Sequence, residues 1–291
     1  MPHVDEEIAS QPACWVRAIE LAAQHADHLP ARGERVAVIG CGTSWFMAMA
    51  YAQLREATGQ GETDAYPASE FPAGRRYDRV LAITRSGTTT EVLDALAATD
   101  AHTTVLLGDP DTPALGRADH AVTMPFADEH SVVQTRFATS ALILLRAHLG
   151  EELSTTVTDA AEALQAPLPL DPERTEQVSF LGRGWTVGLA HEAALKCREA
   201  AAFWAESYPA MEYRHGPIAI AAPHRAVWAF GEVPDTLPAE VADTGATFVH
   251  NGHWDPLADL VVAQRFAVAL AHTRHLDPDR PRHLTRSVIL S

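Results

Sequence analysis

The sequence lacks the features that take a protein to a membrane or to nucleic acid. No apolar run approaches the roughly 20 residues needed to cross a bilayer, and the first residues have neither the basic nor the apolar region of a signal peptide. Positive charge is scarce as well, because 22 lysines and arginines face 38 aspartates and glutamates, for a formal net charge of -16. Nothing in this charge balance attracts nucleic acid or anionic lipid, so a bound anion needs a local site. We expect a cytoplasmic protein without nucleic-acid or membrane partners.

Cysteine and metal-binding patterns are also sparse. The three cysteines are an odd number without CxxC spacing, which is typical of free thiols in a reducing compartment. The 15 histidines include no HExxH motif, and acidic partners at metal-ligand spacing are absent. The sequence therefore predicts no disulfide framework, no metal site and no cofactor.

Strands and helices alternate along the first half of the chain. Short apolar runs predict strands at 36–40, 79–83, 104–107 and 121–124. Helical periods predict an amphipathic N-terminal helix over 5–29 and further helices over about 45–56, 91–98 and 135–149. This alternation favours right-handed βαβ units in an open, doubly wound parallel sheet.

The second half of the chain repeats this outline. Three prolines within residues 166–172 indicate a linker. A strand at 178–182, a long helix over about 189–204 and strands near 226–230 and 247–249 follow it. The chain has 291 residues, of which 47% are hydrophobic and 21% charged, as expected for folded domains. We predict two related α/β domains, residues 1–165 and 166–291.

Two loops follow predicted strands and precede predicted helices. Residues 40–44 (GCGTS) place backbone N–H groups at a helix N-terminus, where a phosphoryl group is favoured. A tight turn capped by Thr43 or Ser44 explains this lone GxG equally well. A dinucleotide site is a weaker alternative, because Trp45 stands where the third glycine of GxGxxG belongs.

The second loop, residues 84–91 (TRSGTTTE), offers five hydroxyls, one guanidinium and a glycine. A capping box from Thr88 to Glu91 explains two of these residues but leaves Arg85, Ser86 and Thr89 without a purpose. The carboxyl ends of neighbouring parallel strands face the crevice where open α/β sheets bind ligands. The two loops together predict a phosphate site.

A charged stripe runs along the long helix of the second half. Glu192, Lys196 and Glu199 are spaced four and three apart, so they share one helix face. Such a stripe is usually a solvated salt bridge. Here the remaining helix is largely apolar, which favours a buried stripe that lines a cavity and suits proton transfer. The nearby His215 precedes Gly-Pro on a turn, and taken alone it is more typical of a structural or exposed histidine.

These segments resemble the SIS sugar isomerase family, specifically the isomerase half of glucosamine-6-phosphate synthase and its glutaminase-free relatives. The resemblance runs almost end to end and includes residues 40–44, 84–89, 129–135, 199–217 and 279–284. It implies two SIS domains, each a doubly wound parallel sheet in a three-layer α/β/α sandwich. It also implies a phosphorylated sugar or amino sugar as the ligand.

The resemblance implies roles for individual residues. The phosphate of a hexose 6-phosphate is expected at Thr84, Ser86 and Thr89, with Arg85 where the synthase has glutamine. Sugar hydroxyls are expected at Gly42, Thr43 and Ser44, and Gln134 stands where the synthase has a serine near the sugar. Glu199 matches the glutamate that transfers the proton between C1 and C2, and Lys196 matches the lysine on the same helix. His215 matches the histidine that assists ring opening in the neighbouring subunit, which implies a homodimer with shared sites.

The tail departs from the family pattern. The synthase has a lysine that forms an imine with the open-chain sugar, whereas this chain has Arg286, which stays protonated and cannot be that nucleophile. Arg286 can still bind a hydroxyl or a phosphate oxygen. The chain as given also has no glutaminase domain, so glutamine-driven amino transfer is not expected.

The sequence therefore favours an enzyme, a sugar-phosphate isomerase or an amino-sugar-phosphate deaminase or deglycase that works by C1/C2 proton transfer. The alternative is a non-catalytic sugar-phosphate sensor. Glu199, Lys196 and His215 favour the enzyme, and Arg286 favours the sensor. The sugar, the direction of the reaction and any amine released stay open.

Overall fold

The computed structural model describes residues 2–290 and contains two parallel β-sheets with their helices. The strands are β1 (Val36–Gly40), β2 (Thr63–Pro67), β3 (Arg79–Thr84), β4 (His102–Leu107), β5 (His120–Thr123), β6 (Gln177–Gly182), β7 (Ala205–Pro209), β8 (Arg225–Phe230) and β9 (Thr247–His250). The helices are α1 (His3–Ala9), α2 (Gln11–Gln24), α3 (Thr43–Ala57), α4 (Thr90–Ala97), α5 (Arg136–His148), α6 (Ser154–Ala163), α7 (Thr186–Ala201), α8 (Leu237–Asp243) and α9 (Pro256–Thr273). The predicted α/β class is confirmed.

The chain divides into two compact units, which we name after their sheets. The five-stranded unit comprises residues 10–130, 134–153 and 285–290. The four-stranded unit comprises residues 2–9, 131–133 and 154–284. The predicted division into two three-layer domains, residues 1–165 and 166–291, stays a prediction.

The five-stranded unit has the strand order β2-β1-β3-β4-β5, with every pair parallel. The central strands β1 and β3 are buried along their whole length, whereas β2 at the edge is mostly half-buried. Burial on both faces explains why the central strands consist of continuous apolar runs. Because β1 and β3 are parallel neighbours, the loops that follow them leave the same edge of the sheet.

The four-stranded unit has the order β7-β6-β8-β9, again with every pair parallel. This is the order of the first four strands of the other sheet. The repeat includes a close contact at the end of the first strand. A Cβ at Gly40 would lie 2.7 Å from the carbonyl carbon of Ser44, and one at Gly182 would lie 2.2 Å from the carbonyl oxygen of Thr186. Only glycine lets either strand turn directly into the helix that follows.

The structure corrects several predicted elements. The single helix predicted over 5–29 is wrong, because α1 ends at Ala9 and α2 begins at Gln11. Pro12 lies in the first turn of α2, where its missing N–H leaves no hydrogen bond unmade. The sequence analysis also missed β2, β7, α6, α8 and α9. Among residues 2–290, no helix combines the length and the hydropathy that crossing a bilayer requires.

Candidate active site

The first candidate loop joins β1 to α3 in the five-stranded unit. Gly42 has a φ of 54°, and α3 begins at the next residue. Thr43 and Ser44 are both buried in the first turn of that helix. Burial and the charge of Glu91 raise the pKa of the Cys41 thiol, so this cysteine is protonated at neutral pH. The loop therefore offers hydroxyls at a helix N-terminus rather than a reactive thiolate.

The second loop joins β3 to α4 in the same unit. Thr84, Arg85 and Ser86 are buried. The hydroxyl of Thr88 lies 3.1 Å from Ser86 Oγ, and the Thr88 N–H donates to the same oxygen at 3.3 Å. Gly87 has a φ of +61°, and a Cβ there would lie 2.1 Å from Thr112 Oγ1. The loop is therefore a tight glycine turn with its hydroxyls gathered together.

Thr89 is the residue before α4, with extended backbone and no side-chain capping hydrogen bond. The capping box that would have explained Thr88 and Glu91 structurally is therefore not formed at this helix. We name residues 84–89 the hydroxyl loop.

Two acidic residues, Glu129 and Asp128, contact Arg85 and Arg286 in the five-stranded unit. The Arg85 guanidinium is 1% exposed, and its Nη1 lies 3.6 Å from Oε2 of Glu129. Arg286 donates from Nη2 to both carboxylate oxygens of Asp128, at 2.6 and 2.8 Å, and from Nη1 to the Glu129 carbonyl. Hydrogen bonds between an ionised guanidinium and a carboxylate are short and strong. Arg286 is therefore held by Asp128.

Arg286 belongs to a C-terminal tail, residues 285–290, that lies along the hydroxyl loop and the start of α4. Arg85 donates to the Arg286 carbonyl at 3.0 Å. The Thr88 hydroxyl lies 2.9 Å from Ser287 Oγ. The Thr90 N–H donates to the Val288 carbonyl at 3.2 Å, and the Leu290 N–H donates to Thr90 Oγ1 at 2.9 Å. The tail thus brings a further hydroxyl, that of Ser287, to the loop.

Gln134 lies just before α5, and its side chain is half-buried. Its Oε1 is buried and accepts no hydrogen bond from the part of the chain that the structure describes. Buried polar atoms are nearly always paired, so an unpaired acceptor is suited to a ligand hydroxyl or N–H.

The charged stripe lies on α7 in the four-stranded unit. Lys196 is 1% exposed, and its ammonium group lies 2.6 Å from Oε2 of Glu199 and 3.4 Å from Oε1 of Glu192. The Glu192 side chain is 1% exposed, whereas that of Glu199 is 20% exposed. The prediction of burial is confirmed for Glu192 and Lys196, whereas Glu199 is half-buried. Glu199 is the carboxylate that a ligand can reach, and Lys196 is its fixed counter-charge.

His215 ends a short 3-10 helix, Glu212–His215, in the same unit, and its side chain is exposed. The turn is anchored by its neighbours, because Tyr213 is buried and Arg214 donates to Glu240 at 2.7 Å. Within residues 2–290, no hydrogen bond joins His215 to Glu199 or Lys196. The structure therefore groups Lys196 with Glu199 and leaves His215 on the surface.

Comparisons with known proteins identify similar sequences and similar folds. A scan against models of protein families finds no match. The chain is 29% identical over 314 residues to the isomerizing glutamine–fructose-6-phosphate aminotransferase of Gloeobacter violaceus, covering 88% of this chain and 52% of that protein. It is 26% identical over 296 residues to the corresponding enzyme of Sulfolobus acidocaldarius, covering 87% of this chain and 50% of that protein. The chain thus spans about half the length of the curated relatives that it matches.

Solved structures extend the similarity over nearly the whole chain. A crystal structure of glucosamine-6-phosphate deaminase from Thermotoga maritima has a TM-score of 0.83 and 26% identity, covering 99% of this chain and 100% of that one. The chain is therefore similar in sequence to about half of the aminotransferase and in fold to the deaminase. Tagatose-6-phosphate ketose/aldose isomerase from Escherichia coli shares the fold, with a TM-score of 0.80 at 16% identity and coverage of 98% and 99% of the two chains.

The sequence analysis missed three residues that the structure brings to the hydroxyl loop. These are Asp128, Glu129 in its contact with Arg85, and Ser287. One signal was available. Arg85 and Arg286 each stand where the family pattern has a different residue. Because a buried guanidinium requires acceptors, acidic residues were to be expected near them.

We expect Asp128→Asn to loosen the tail, because the amide cannot accept a charge-assisted bidentate pair from Arg286. A partly exposed pair of this kind contributes roughly 1 kcal/mol, which corresponds to about fivefold faster amide hydrogen exchange in residues 286–290. Hydrogen exchange followed by mass spectrometry measures it. The matched control is Glu240→Gln, which removes the Arg214 pair elsewhere and leaves tail exchange unchanged. Equal tail exchange in wild type and Asp128→Asn contradicts the role given to Asp128.

Proposed function

We propose that the chain is an enzyme that moves a proton between C1 and C2 of a hexose 6-phosphate derivative. It acts as a sugar-phosphate isomerase or as an amino-sugar-phosphate deaminase or deglycase. The observation that carries the proposal is the Lys196–Glu199 contact at 2.6 Å, with Lys196 buried and Glu199 partly exposed. The similarity to glucosamine-6-phosphate deaminase supports the same class of reaction.

Glu199 acts as the base. Its carboxylate removes the proton next to a carbonyl or imine and returns it one carbon away. Lys196 holds a positive charge against Glu199, and this charge limits the cost of an ionised carboxylate next to a buried helix face. Glu192 contacts the same ammonium group and keeps Lys196 in place. The reaction requires no redox step.

Phosphate binding is assigned to the hydroxyl loop, through Thr84, Ser86 and Thr89, with the Arg85 guanidinium supplying positive charge. Because the Arg85 guanidinium lies 3.6 Å from the Glu129 carboxylate, its charge is shared, and the hydroxyls of the loop supply the direct donors to phosphate. The hydroxyls of the loop are buried or half-buried and can donate to phosphate oxygens. Arg286 is assigned to the same site, because its carbonyl accepts from Arg85 in the loop.

Sugar hydroxyls are assigned to the first loop, at Gly42, Thr43 and Ser44, and to the buried Oε1 of Gln134. These assignments follow from the family pattern, and the burial of Thr43 and Ser44 at the start of α3 supports them. We also propose that the protein has two SIS domains, each a three-layer α/β/α sandwich, and is cytoplasmic.

We further propose a homodimer with shared sites. His215 is exposed on an anchored turn, away from any hydrogen bond to Glu199 within residues 2–290. An exposed histidine on a rigid turn can reach the site of a second copy, where it assists ring opening as a general acid or base.

A non-catalytic sensor is the second candidate. The Arg286 guanidinium favours it, because it cannot form an imine and is held by Asp128. Lys196 and Glu199 favour the enzyme, since a sensor has no need of a partly exposed carboxylate on a buried ammonium.

The first test substitutes the base. Glu199→Gln keeps the shape of the side chain but cannot accept the proton. We therefore expect solvent exchange of the proton next to the carbonyl, which is on C2 of an aldose and on C1 of a ketose, to fall by about 10²- to 10⁴-fold. The probes are glucosamine 6-phosphate, fructose 6-phosphate and glycated amino-acid phosphates, followed by NMR in D₂O. Glu176→Gln, on an exposed loop, is the control and exchanges as wild type does. Exchange that is equally fast in Glu199→Gln, or absent in wild type for every probe, defeats the enzyme proposal.

The second test addresses the hydroxyl loop. We expect Ser86→Ala combined with Thr89→Ala to weaken binding of fructose 6-phosphate by about 10- to 100-fold, because each lost hydroxyl removes a hydrogen bond to a charged group. Binding of unphosphorylated fructose should change little. Calorimetry measures both affinities. Thr236→Ala, which precedes α8 after the corresponding strand of the other sheet, serves as the control and binds as wild type does. Equal losses for the two sugars reject the phosphate assignment.

The third test addresses the shared site. Glu199→Gln and His215→Ala should each be inactive alone. When they are mixed through unfolding and refolding, about half of the dimers contain both variants, and each of these has one intact site. We expect about a quarter of wild-type activity to return. Native mass spectrometry identifies the mixed dimers by mass. Recovery that stays at the level of the two separate variants, in a sample that contains mixed dimers, argues against sharing.

A further inference from the structure

A cavity of about 430 Å³ opens beside Glu199 in the four-stranded unit. Its walls are the last turn of α7 and the segment that follows α9. Five basic residues line it, namely Arg198, His275, Arg280, Arg282 and His283. The acidic residues in the lining are Glu199 and Asp277. Its size is within the range of small-molecule sites.

The charge of this lining is opposite to that of the chain, which has a formal net charge of -16. Arg280 and Arg282 are exposed, and neither guanidinium makes a hydrogen bond or an ion pair within residues 2–290. Arg198 is used differently, because its Nη1 donates to the Ala205 carbonyl at 2.9 Å. The cavity therefore presents two uncommitted guanidinium groups to whatever enters it.

The wall that bears these arginines is fixed in place. The Asp279 carboxylate accepts from the N–H groups of His3 and Val4 at 2.7 and 2.8 Å, at the start of α1. Pro278 and Pro281 are buried on either side of this anchor. Two prolines and an anchored carboxylate restrict the backbone, so Arg280 and Arg282 extend from a preorganised segment.

Unusual backbone conformations concentrate at the same cavity. Within residues 2–290, positive φ values at residues other than glycine occur at Ala202 (46°), His224 (66°), His275 (57°) and His283 (65°). All but His224 line the cavity. Such conformations are costly and cluster at ligand sites, where the surrounding structure enforces them.

Glu199 lines the cavity, so a substrate that reacts at Glu199 lies next to it. The inference that follows rests on the proposed function. If Glu199 moves a proton between C1 and C2, a substituent on C1 lies next to its carboxylate. An unsubstituted amino sugar phosphate has no group that would extend past Glu199 to the arginines. An amino acid attached through its nitrogen to C1 has one, since its carboxylate projects beyond the C1–N bond.

We infer that the cavity binds the carboxylate of an amino acid joined to C1, so that the substrate is a 1-amino-1-deoxyketose 6-phosphate and the protein is a deglycase. Arg280 and Arg282 pair with the carboxylate, and Arg198 contributes to the wall. Guanidinium groups are the side chains best matched to a planar carboxylate. The phosphate has its own site in the hydroxyl loop.

The reaction balances with water alone. Glu199 takes a proton from C1 while water gives a proton to the C2 oxygen, which becomes a hydroxyl. Glu199 then returns its proton to C2, and the nitrogen gives up its proton to water, which leaves a C1=N imine. Water adds to C1, the C1–N bond breaks with the electron pair going to nitrogen, and the amino acid departs. The products are an aldose 6-phosphate and the free amino acid, with no net oxidation or reduction.

The test compares two substrates that differ in one group. The ketosamine 6-phosphate of valine carries a carboxylate, and that of isobutylamine has the same carbon skeleton without it. We expect kcat/KM for the valine adduct to exceed that for the isobutylamine adduct by about 10- to 100-fold, as for a lost hydrogen-bonded charge pair. Release of glucose 6-phosphate is the readout.

The variant Arg280→Gln with Arg282→Gln should lower kcat/KM for the valine adduct by about 10- to 100-fold and change that for the isobutylamine adduct by less than about twofold. Arg183→Gln, a surface arginine outside the cavity, is the control and behaves as wild type. Equal rates for the two adducts, or equal losses for both in the double variant, overturn the inference.

The inference and the proposed function fail in different ways. Turnover of glucosamine 6-phosphate or fructose 6-phosphate, or exchange at C2 of the first or C1 of the second, without turnover of the valine adduct overturns the deglycase and leaves the proton-transfer enzyme standing. The absence of exchange with every sugar phosphate overturns both.

Discussion

Parallel pairing of β1 with β3 is the constraint on which the five-stranded unit depends. Because of this pairing, both candidate loops begin at the same edge of the sheet, where the buried strands end and polar segments follow. The same edge receives the C-terminal tail, through contacts of Arg85 and Thr88 with residues 286 and 287. The topology of the sheet therefore brings these polar segments together, and their hydroxyls form a group the size of a phosphate.

The two units share a strand order and a glycine junction, yet their polar residues are distributed differently. After β8, the loop that corresponds to the hydroxyl loop is residues 231–236, which has two acidic side chains and a single hydroxyl, that of Thr236. Such a loop does not favour phosphate. The four-stranded unit instead has its ionisable groups on α7, at Glu192, Lys196 and Glu199. Repetition of the backbone has therefore not led to repetition of chemistry.

The sequence analysis predicted the central strands because burial on both faces leaves continuous apolar runs. It missed β2 and β7 because edge strands are half-exposed and mix polar with apolar residues. It missed α9 because that helix is buried on nearly every side and has no amphipathic period. The hydroxyl loop was visible as a local pattern. The contact between Thr88 and Ser287 was not, since 199 positions separate them and no short-range signal connects them.

Ser86, Thr88 and Ser287 form a row of three hydroxyls joined at 3.1 and 2.9 Å. Each hydroxyl has one hydrogen and two acceptor lone pairs, and the hydrogen rotates about its C–O bond. When all donors point in one direction along the row, the two contacts use two hydrogens and leave the third at one end. Reversing the row moves that spare hydrogen from the loop to the tail without displacing a heavy atom. An oxyanion arriving at either end thus meets a donor, at the cost of torsional motion alone.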